Sequence, residues 1–327
     1  MSKHNNARKI AYFAVILILV LVMIFSGLQI LESTVFYGGQ EQETGFISKT
    51  ITRDGVDYFP RQDITVTMVV GIDQTGPMES SGSYTNPGAA DVVMLIIFDE
   101  TNEEYSVLYL NRDTMLEMPV LGIGGKKAGT AYAQLALAHT YGSGLADSCE
   151  NVRDTVSDFL YGLTIDHYVS MNMDAIATLN DAVGGVTVNV VDDFSSIDPT
   201  ITKGMVTLRS EQAVHYLRGR MNVGDQLNLS RIDRQTEYMY SFAEAFRSST
   251  EREESFVVST YEKISPYIVT DCSVTVLTSM MDRYSRYDLK EIVSPEGENI
   301  LTEEYYEFHV DEESLDELIL RLFYAKK

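Results

Sequence analysis

The chain has 327 residues, with 25 Lys+Arg against 48 Asp+Glu and a formal net charge of −23. Its 45% hydrophobic and 22% charged residues are globular proportions, which exclude a disordered or collagen-like chain. The acidic balance argues against a non-specific nucleic-acid binder, whose footprint is basic, and two cysteines, Cys149 and Cys272, are too few for a disulfide scaffold or a four-cysteine zinc site.

Residues Ile10 to Leu31 form an uncharged apolar run about as long as a bilayer-spanning helix needs. Lys3, Arg8 and Lys9 precede it, and Glu32, Glu41 and Glu43 follow it. The positive-inside rule then puts residues 1–9 in the cytoplasm and the rest outside the cell. A cleaved signal peptide would have a shorter apolar region ending in small residues. This run ends in Leu-Gln-Ile-Leu-Glu, so it reads as an uncleaved anchor over 10–31. Residues 1–31 carry three basic groups and no acid, which leaves 22 basic against 48 acidic groups outside, a net of −26.

Residues 32–62 lack clean periodicity and read as a stalk, with room for a short strand or helix. From Asp63 the pattern alternates strand with helix, which predicts one α/β domain over 63–327. Strands are predicted over 64–73, 91–99 and 105–111. The last two form a hairpin whose continuous apolar runs suit burial on both faces. Helical spacing follows over 131–142 and 151–162, then a strand over 166–172, a helix over 174–183 and a strand over 186–191. A helix from about Ser210 carries Arg218, and a longer one runs from about Ser230 to Arg247. A strand over 307–310 and an amphipathic helix over 313–324 complete the pattern.

The polar ends of the apolar strands carry the chemistry-bearing residues. Asp73 follows the first strand and enters a Gly-, Ser- and Pro-rich loop, read as mobile, and Asp91 opens the next strand. They are either two ligands for Mg²⁺ on a phosphate substrate or a turn former and a strand-end residue. Arg112, in Asn111-Arg112-Asp113-Thr114, is either a phosphate fork or an ion-pair partner of Asp113. From Lys203 to Arg234 six basic residues face Glu211, Asp225 and Asp233, a net of +3 inside an acidic chain. Arg231, Arg234 and Gln235 share one helix face by spacing, and Arg231 lies near that helix's N-terminus, where anions are favoured. Guanidinium groups there suit phosphate or pyrophosphate; the alternative is a solvated helix with internal ion pairs. The histidines show no metal-ligand spacing, and His139 and His215 read as packed helix residues.

Taken in order, Gly71-Ile-Asp73, Asp91-Val-Val-Met-Leu, Asn111-Arg112-Asp113-Thr114, Lys127-Ala-Gly-Thr-Ala-Tyr132, Leu179-Asn-Asp-Ala-Val-Gly-Gly-Val-Thr-Val-Asn-Val190, Leu208 to Arg220 and Ser230-Arg-Ile-Asp-Arg-Gln235 resemble the LytR-CpsA-Psr family. The resemblance is strong over about 63–250. It implies a central mixed β-sheet flanked by helices on both faces, with an apolar pocket for a polyprenyl tail. It implies a membrane-anchored extracellular phosphotransferase that moves a glycopolymer, such as teichoic acid or capsule, from a polyprenyl-pyrophosphate carrier to peptidoglycan. By the same analogy Asp73 and Asp91 hold Mg²⁺, with Mn²⁺ as the alternative ion. Arg112, Lys127, Arg218, Arg220, Arg231 and Gln235 bind the pyrophosphate, with Arg234 nearby, and Asp91, Arg112, Arg218 and Arg220 form the catalytic set. Arginines and a metal are the parts phosphoryl transfer requires, because it depends on positioning and charge stabilisation. The chain departs from the family pattern at Gln74, Ala89-Ala90 and Ala128-Gly129. Those departures keep open a non-catalytic module that binds the lipid or the polymer. A hydrolase that passes the polymer to water is a further reading.

Overall fold

The computed structural model describes residues 50–53, 55–219, 228–253, 256–273, 287–302 and 305–326, with 276, 280, 283 and 284 between them. The anchor expected over 10–31 lies outside these residues, and among the described residues no helix is long and apolar enough to cross a membrane. In chain order the elements begin β1 (Ile51–Arg53), β2 (Val56–Pro60), β3 (Ile64–Ile72), β4 (Ala90–Asp99), β5 (Glu104–Leu110), β6 (Met115–Leu121) and β7 (Lys127–Gln134). There follow α1 (Ala146–Phe159), β8 (His167–Asn172), α2 (Met173–Ala182), β9 (Val186–Val190), β10 (Gly204–Leu208), α3 (Glu211–Arg218), α4 (Asn228–Arg252), α5 (Phe256–Ile264) and β11 (Ile268–Thr270). The last are β12 (Asp288–Val293), β13 (Gly297–Leu301), β14 (Tyr306–Val310), α6 (Glu312–Phe323) and β15 (Tyr324–Lys326). The chain divides into two compact units, a sheet unit (32–171, 268–272 and 290–327) and a helical unit whose described part lies within 172–267 and 273–289.

A six-stranded sheet in the order β11-β8-β3-β4-β5-β12 forms the centre of the sheet unit. β3, β4 and β5 pair antiparallel, with Ile64 opposite Asp99 and Val93 opposite Leu110. Val66, Met68, Val70 and Ile72 alternate along β3 and join one core with Val152 and Val156 of α1 and Leu315, Leu318, Ile319 and Leu322 of α6. Val69, Ile96 and Phe98 are buried as well, which is why these strands read as continuous apolar runs rather than alternating ones. Asp311 caps α6 by accepting the Ser314 N–H at 2.8 Å, and its leucines repeat at helical spacing to face the core. Inside the segment read as a stalk, Ile51–Arg53 and Val56–Pro60 form β1 and β2. β15, at the far end of the chain, pairs with β2.

One expected element is corrected. The helix predicted over 131–142 is instead β7 followed by a 3-10 helix over Leu135–Tyr141. Ala131 and Ala133 pair with Met118 and Leu116 in a hairpin with β6, so cross-strand pairing overrides the helical preference of alanine. Cys149 and Cys272 are both free thiols and both buried.

Arg61 anchors the entry to β3. Its guanidinium pairs with Asp63 at 2.8 Å and with Asp99 at 2.7 Å. The hydrogen bond from Arg61 holds the Asp63 carboxyl down at about 2. Burial opposes ionisation of Asp99, but hydrogen bonds from Asn102 and Arg61 prevail and lower its pKa. Carboxylates held low contribute stability above their unfolded pKa, near 4, and lose it as pH falls through the folded value. Arg61→Gln is therefore expected to cost about 2 kcal/mol at pH 6. That cost should fade between about pH 4 and pH 2. Urea unfolding of both forms across that range checks it.

In the helical unit, Asn172 caps α2 by accepting the N–H groups of Asp174 and Ala175 at 3.0 and 3.2 Å. The helix ends in Gly184-Gly185, both at positive φ, and a Cβ on Gly185 would meet the Leu208 carbonyl at 2.7 Å. β9 and β10 then form a hairpin with Val186 opposite Leu208. Asn180, fully buried, donates to the Leu208 carbonyl at 2.9 Å and accepts from Val186 N and the Tyr238 hydroxyl, which ties the helix, the hairpin and α4 together. Tyr238, Phe242 and Phe246 lie one turn apart along α4 with ring centroids about 6 Å apart, and Phe256 of α5 meets Phe246 edge-on at 5.0 Å.

Candidate active site

The register of the central sheet brings three of the expected site residues to one end of it. Ile72 pairs with Ala90 while Gly71 pairs with Val92, so Asp91 is the extra residue of a β-bulge. A bulge re-aims a side chain that regular pleating would place elsewhere. Asp73, the first residue beyond β3, donates its N–H to the Ala89 carbonyl at 2.9 Å and so stands beside the start of β4. Val93 pairs with Leu110, and two residues further out Asp91 and Arg112 come opposite each other.

Arg112 Nη1 donates to Asp91 Oδ1, and Arg112 Nε lies 3.5 Å from Asp113 Oδ1. Of the two alternatives for Arg112, the ion pair with Asp113 is present, and Arg112 also pairs with the bulged carboxylate of Asp91. The Arg112 and Asp91 side chains keep 30% and 21% of their exposure, so a ligand can reach the pair. The turn that presents Arg112 is built by Asn111, whose Oδ1 accepts Asp113 N at 3.0 Å and whose carbonyl accepts the Thr114 hydroxyl at 2.6 Å. Gln134 buttresses it, donating from Nε2 to Asp113 Oδ1 at 3.0 Å and to the Tyr306 carbonyl at 2.7 Å.

The loop from Asp73 to Asp91, read as mobile, is tied down. Asn86 Nδ2 reaches the carbonyls of His139 (2.7 Å) and Gly142 (2.9 Å) and the Ser148 hydroxyl (3.2 Å), while its Oδ1 accepts Gly88 N at 2.8 Å. The fully buried His139 bonds through Nδ1 to the Gly88 carbonyl at 2.7 Å; a carbonyl only accepts, so this nitrogen carries the proton. Burial lowers the His139 pKa and keeps the ring neutral. His139 is thus a packed residue, as expected, but on a 3-10 helix and as a support of the site loop. Asn86 was not among the expected residues, although Asn86-Pro87-Gly88 is a turn signal. Asn86→Ala is expected to cost about 1–3 kcal/mol in urea unfolding, because it strands buried acceptors.

The other expected residues fall elsewhere. Lys127 is exposed at the start of β7, opposite Leu121, seven residues along the strand from Gln134. Arg218 is the exposed last residue of α3 in the helical unit. Arg231 and Gln235 fall within α4, but their side chains, and Arg220 altogether, lie outside the described residues. Arg234 departs from expectation. It is 4% exposed, pairs with Asp192 at 2.6 Å and donates to the carbonyls of Tyr216 and Gly219. Its guanidinium also lies over the Phe194 ring, 5.5 Å from the centroid. These contacts make Arg234 a clamp between α4 and the end of α3 rather than a phosphate ligand.

The sheet end sets two carboxylates, Asp91 and Asp113, against one guanidinium, with the backbone of Asp73 beside the start of β4. Such an end receives an anionic group well only with a cation, and hard carboxylate oxygens are the donors Mg²⁺ takes together with substrate phosphate and water. The class defined by fold and site is an α/β protein with an arginine-paired carboxylate at a bulged strand end.

The chain belongs to the LytR_cpsA_psr family, whose model matches residues 37–323. It is 24% identical over 302 residues to a polyisoprenyl-teichoic acid–peptidoglycan teichoic acid transferase TagU from Oceanobacillus iheyensis, covering 87% of this chain and 84% of that one. A protein of the same name from Halalkalibacterium halodurans is 30% identical over 188 residues, 57% of this chain and 55% of the relative. Against the second relative the match therefore spans about half the relative's length. Among solved structures, B. subtilis TagV superposes with a TM-score of 0.57 at 21% identity, over 80% of this chain and 96% of that one. That likeness supports the α/β fold with its central sheet.

Proposed function

We propose that this chain is a phosphotransferase that takes a glycopolymer from a polyprenyl-pyrophosphate carrier and joins it to peptidoglycan through a phosphodiester. The observation that carries this reading is the Asp91–Arg112 pair at the bulged end of the sheet, with Asp73 beside it. Family membership over 37–323 and relatives named as teichoic acid transferases support it.

In this account a peptidoglycan hydroxyl attacks the phosphorus attached to the polymer, and the polyprenyl phosphate leaves. Arg112 orients the pyrophosphate oxygens and counters the charge that builds on them, a preorganised donor that needs no rearrangement during reaction. Asp91 holds Arg112 in place, and Asp113 with Gln134 holds the turn behind it. Asp73 and Asp91 are the residues that would hold Mg²⁺ or Mn²⁺, which when bound supplies positive charge to the phosphates. Family resemblance assigns Lys127, Arg218, Arg220, Arg231 and Gln235 to phosphate oxygens. The apolar run over 10–31 anchors the chain, with the catalytic part outside the cell.

The test uses the full-length chain in detergent with a labelled polyprenyl-pyrophosphoryl oligosaccharide, uncrosslinked peptidoglycan and Mg²⁺. Label is expected in peptidoglycan, and chelation is expected to stop its appearance. Label released as free oligosaccharide would make the chain a hydrolase. Tight binding without turnover, across several donor sugars, would make it a binding module.

A further inference from the structure

At the edge of the central sheet, remote in sequence from the residues above, three different metal-ligating side chains converge. The antiparallel register of β11 and β8 sets Thr270 opposite Val169. One step further Asp271 faces Tyr168, and the next step brings Cys272 opposite His167. Directly opposed residues on neighbouring strands carry side chains within reach of each other. His167 Nδ1 lies 3.9 Å from Asp271 Oδ1, Cys272 Sγ lies 3.6 Å from the same oxygen, and all three ligand atoms fall within 4.8 Å of one another. A tetrahedral ion with bonds of about 2.0–2.3 Å needs ligand-to-ligand separations of roughly 3.3–3.8 Å. Two of the separations, 3.9 and 3.6 Å, are close to that, and the His167–Cys272 separation lies within 4.8 Å.

The backbone around the cluster is fixed independently of any ion. Tyr168 N donates to Asp271 Oδ1 at 2.9 Å, which sets the carboxylate's orientation. The Thr270 hydroxyl donates to the Tyr168 carbonyl at 2.6 Å and accepts Cys272 N at 3.2 Å, which sets the start of the cysteine. Such outer contacts are how proteins orient metal ligands. The His167 and Asp271 side chains are each 27% exposed while Cys272 is 9% exposed, so the cluster opens to solvent on one side and is backed by protein on the other. Glu150 and Asp166 add negative charge close by, and a divalent cation would offset it.

The geometry points to a transition-metal site of the zinc class on His167, Asp271 and Cys272, with the fourth position open to water or an incoming ligand. A mixed nitrogen, oxygen and sulfur set selects such ions over Mg²⁺, which prefers oxygen alone. The ion staples the three-residue edge strand β11 to β8, and the Cys272 thiol gives up its proton when the ion binds. This site is separate from the carboxylates assigned to Mg²⁺, so its test does not depend on the transferase reading.

Metal-free full-length chain in detergent is titrated with Co²⁺ in excess Mg²⁺, and thiolate-to-cobalt charge-transfer absorption is followed. One equivalent is expected to produce the band, and Zn²⁺ is expected to displace it and to raise Tm. Cys272→Ser should abolish the band, and His167→Ala should weaken Co²⁺ binding at least tenfold. Cys149→Ser and Asp91→Asn should leave the band unchanged. The proposal is overturned if saturating Co²⁺ gives no thiolate absorption, if the band survives Cys272→Ser, or if His167→Ala leaves the affinity unchanged.

Discussion

Asp91→Asn is expected to lower kcat for transfer by roughly 10²–10³-fold, the cost of losing one preorganised charge contact in an active site. The amide keeps the shape of the carboxylate, so the bulge at Asp91 and the pairing of β4 with its neighbours survive. What disappears is the charge that holds Arg112. Because Arg112 keeps 30% of its side-chain exposure, the freed guanidinium is hydrated rather than stranded, and Tm is expected to move little. Arg112→Ala should lose a similar factor. The double variant should lose little more than either alone, because residues that act as one unit are not additive. Steady-state transfer kinetics on the three variants, with thermal melts alongside, check this. A large fall in Tm with unchanged kcat would assign the pair to structure instead.

Arg234→Ala is expected to destabilise the chain by about 3–5 kcal/mol, the usual cost of removing one partner of a buried ion pair. The loss leaves the Asp192 carboxylate, itself 14% exposed, without its partner and takes a donor from the Tyr216 and Gly219 carbonyls. It also uncovers the Phe194 ring, which stacks on Tyr216 at 5.4 Å. Arg234→Lys should recover less than half of that, since an ammonium cannot reproduce the planar fork that reaches one carboxylate and two carbonyls. The chain has no tryptophan and 20 tyrosines, so urea unfolding followed by tyrosine fluorescence and circular dichroism is the practical measurement. If Arg234 instead bound phosphate, Arg234→Ala would raise KM with stability unchanged.

Much of the sheet was legible because apolar strands buried on both faces leave uninterrupted runs, as in Val93 to Phe98. Helix ends were legible where a Gly pair or a capping residue marked them, as at Gly184-Gly185. The β6–β7 hairpin was not. Glu117 and Pro119 interrupt one strand, and the alanines of the other suit a helix until Leu116 and Met118 pair across from them. β1 and β2 were obscure for a related reason, since β15, which joins β2 in a single small sheet, lies at the opposite end of the chain.

The candidate site was partly legible. Asp73, Asp91 and Arg112 stood out as polar residues at the ends of apolar strands. The bulge that aims Asp91 is a one-residue change of register, and it leaves no trace in hydrophobic pattern. Arg231 and Arg234 looked equivalent on one helix face. Arg234 takes its role from Asp192, 42 residues earlier, which periodicity does not reveal. Asn86 and Gln134 act through backbone carbonyls distant in sequence, and no local motif announces such contacts.

Transfer of phosphorus at the Asp73–Asp91–Arg112 sheet end is tested by following the two phosphorus atoms of the donor separately. Full-length chain is given donors labelled at either position of the pyrophosphate, with peptidoglycan as acceptor. The phosphorus attached to the polymer is expected to enter peptidoglycan as a phosphodiester. The phosphorus attached to the lipid should remain with the polyprenyl chain, and entry of the polymer-side label should slow by roughly 10²–10³-fold in Asp91→Asn. Label from the lipid-side phosphorus in peptidoglycan, or polymer-side phosphorus released without entering the wall, would contradict this transfer.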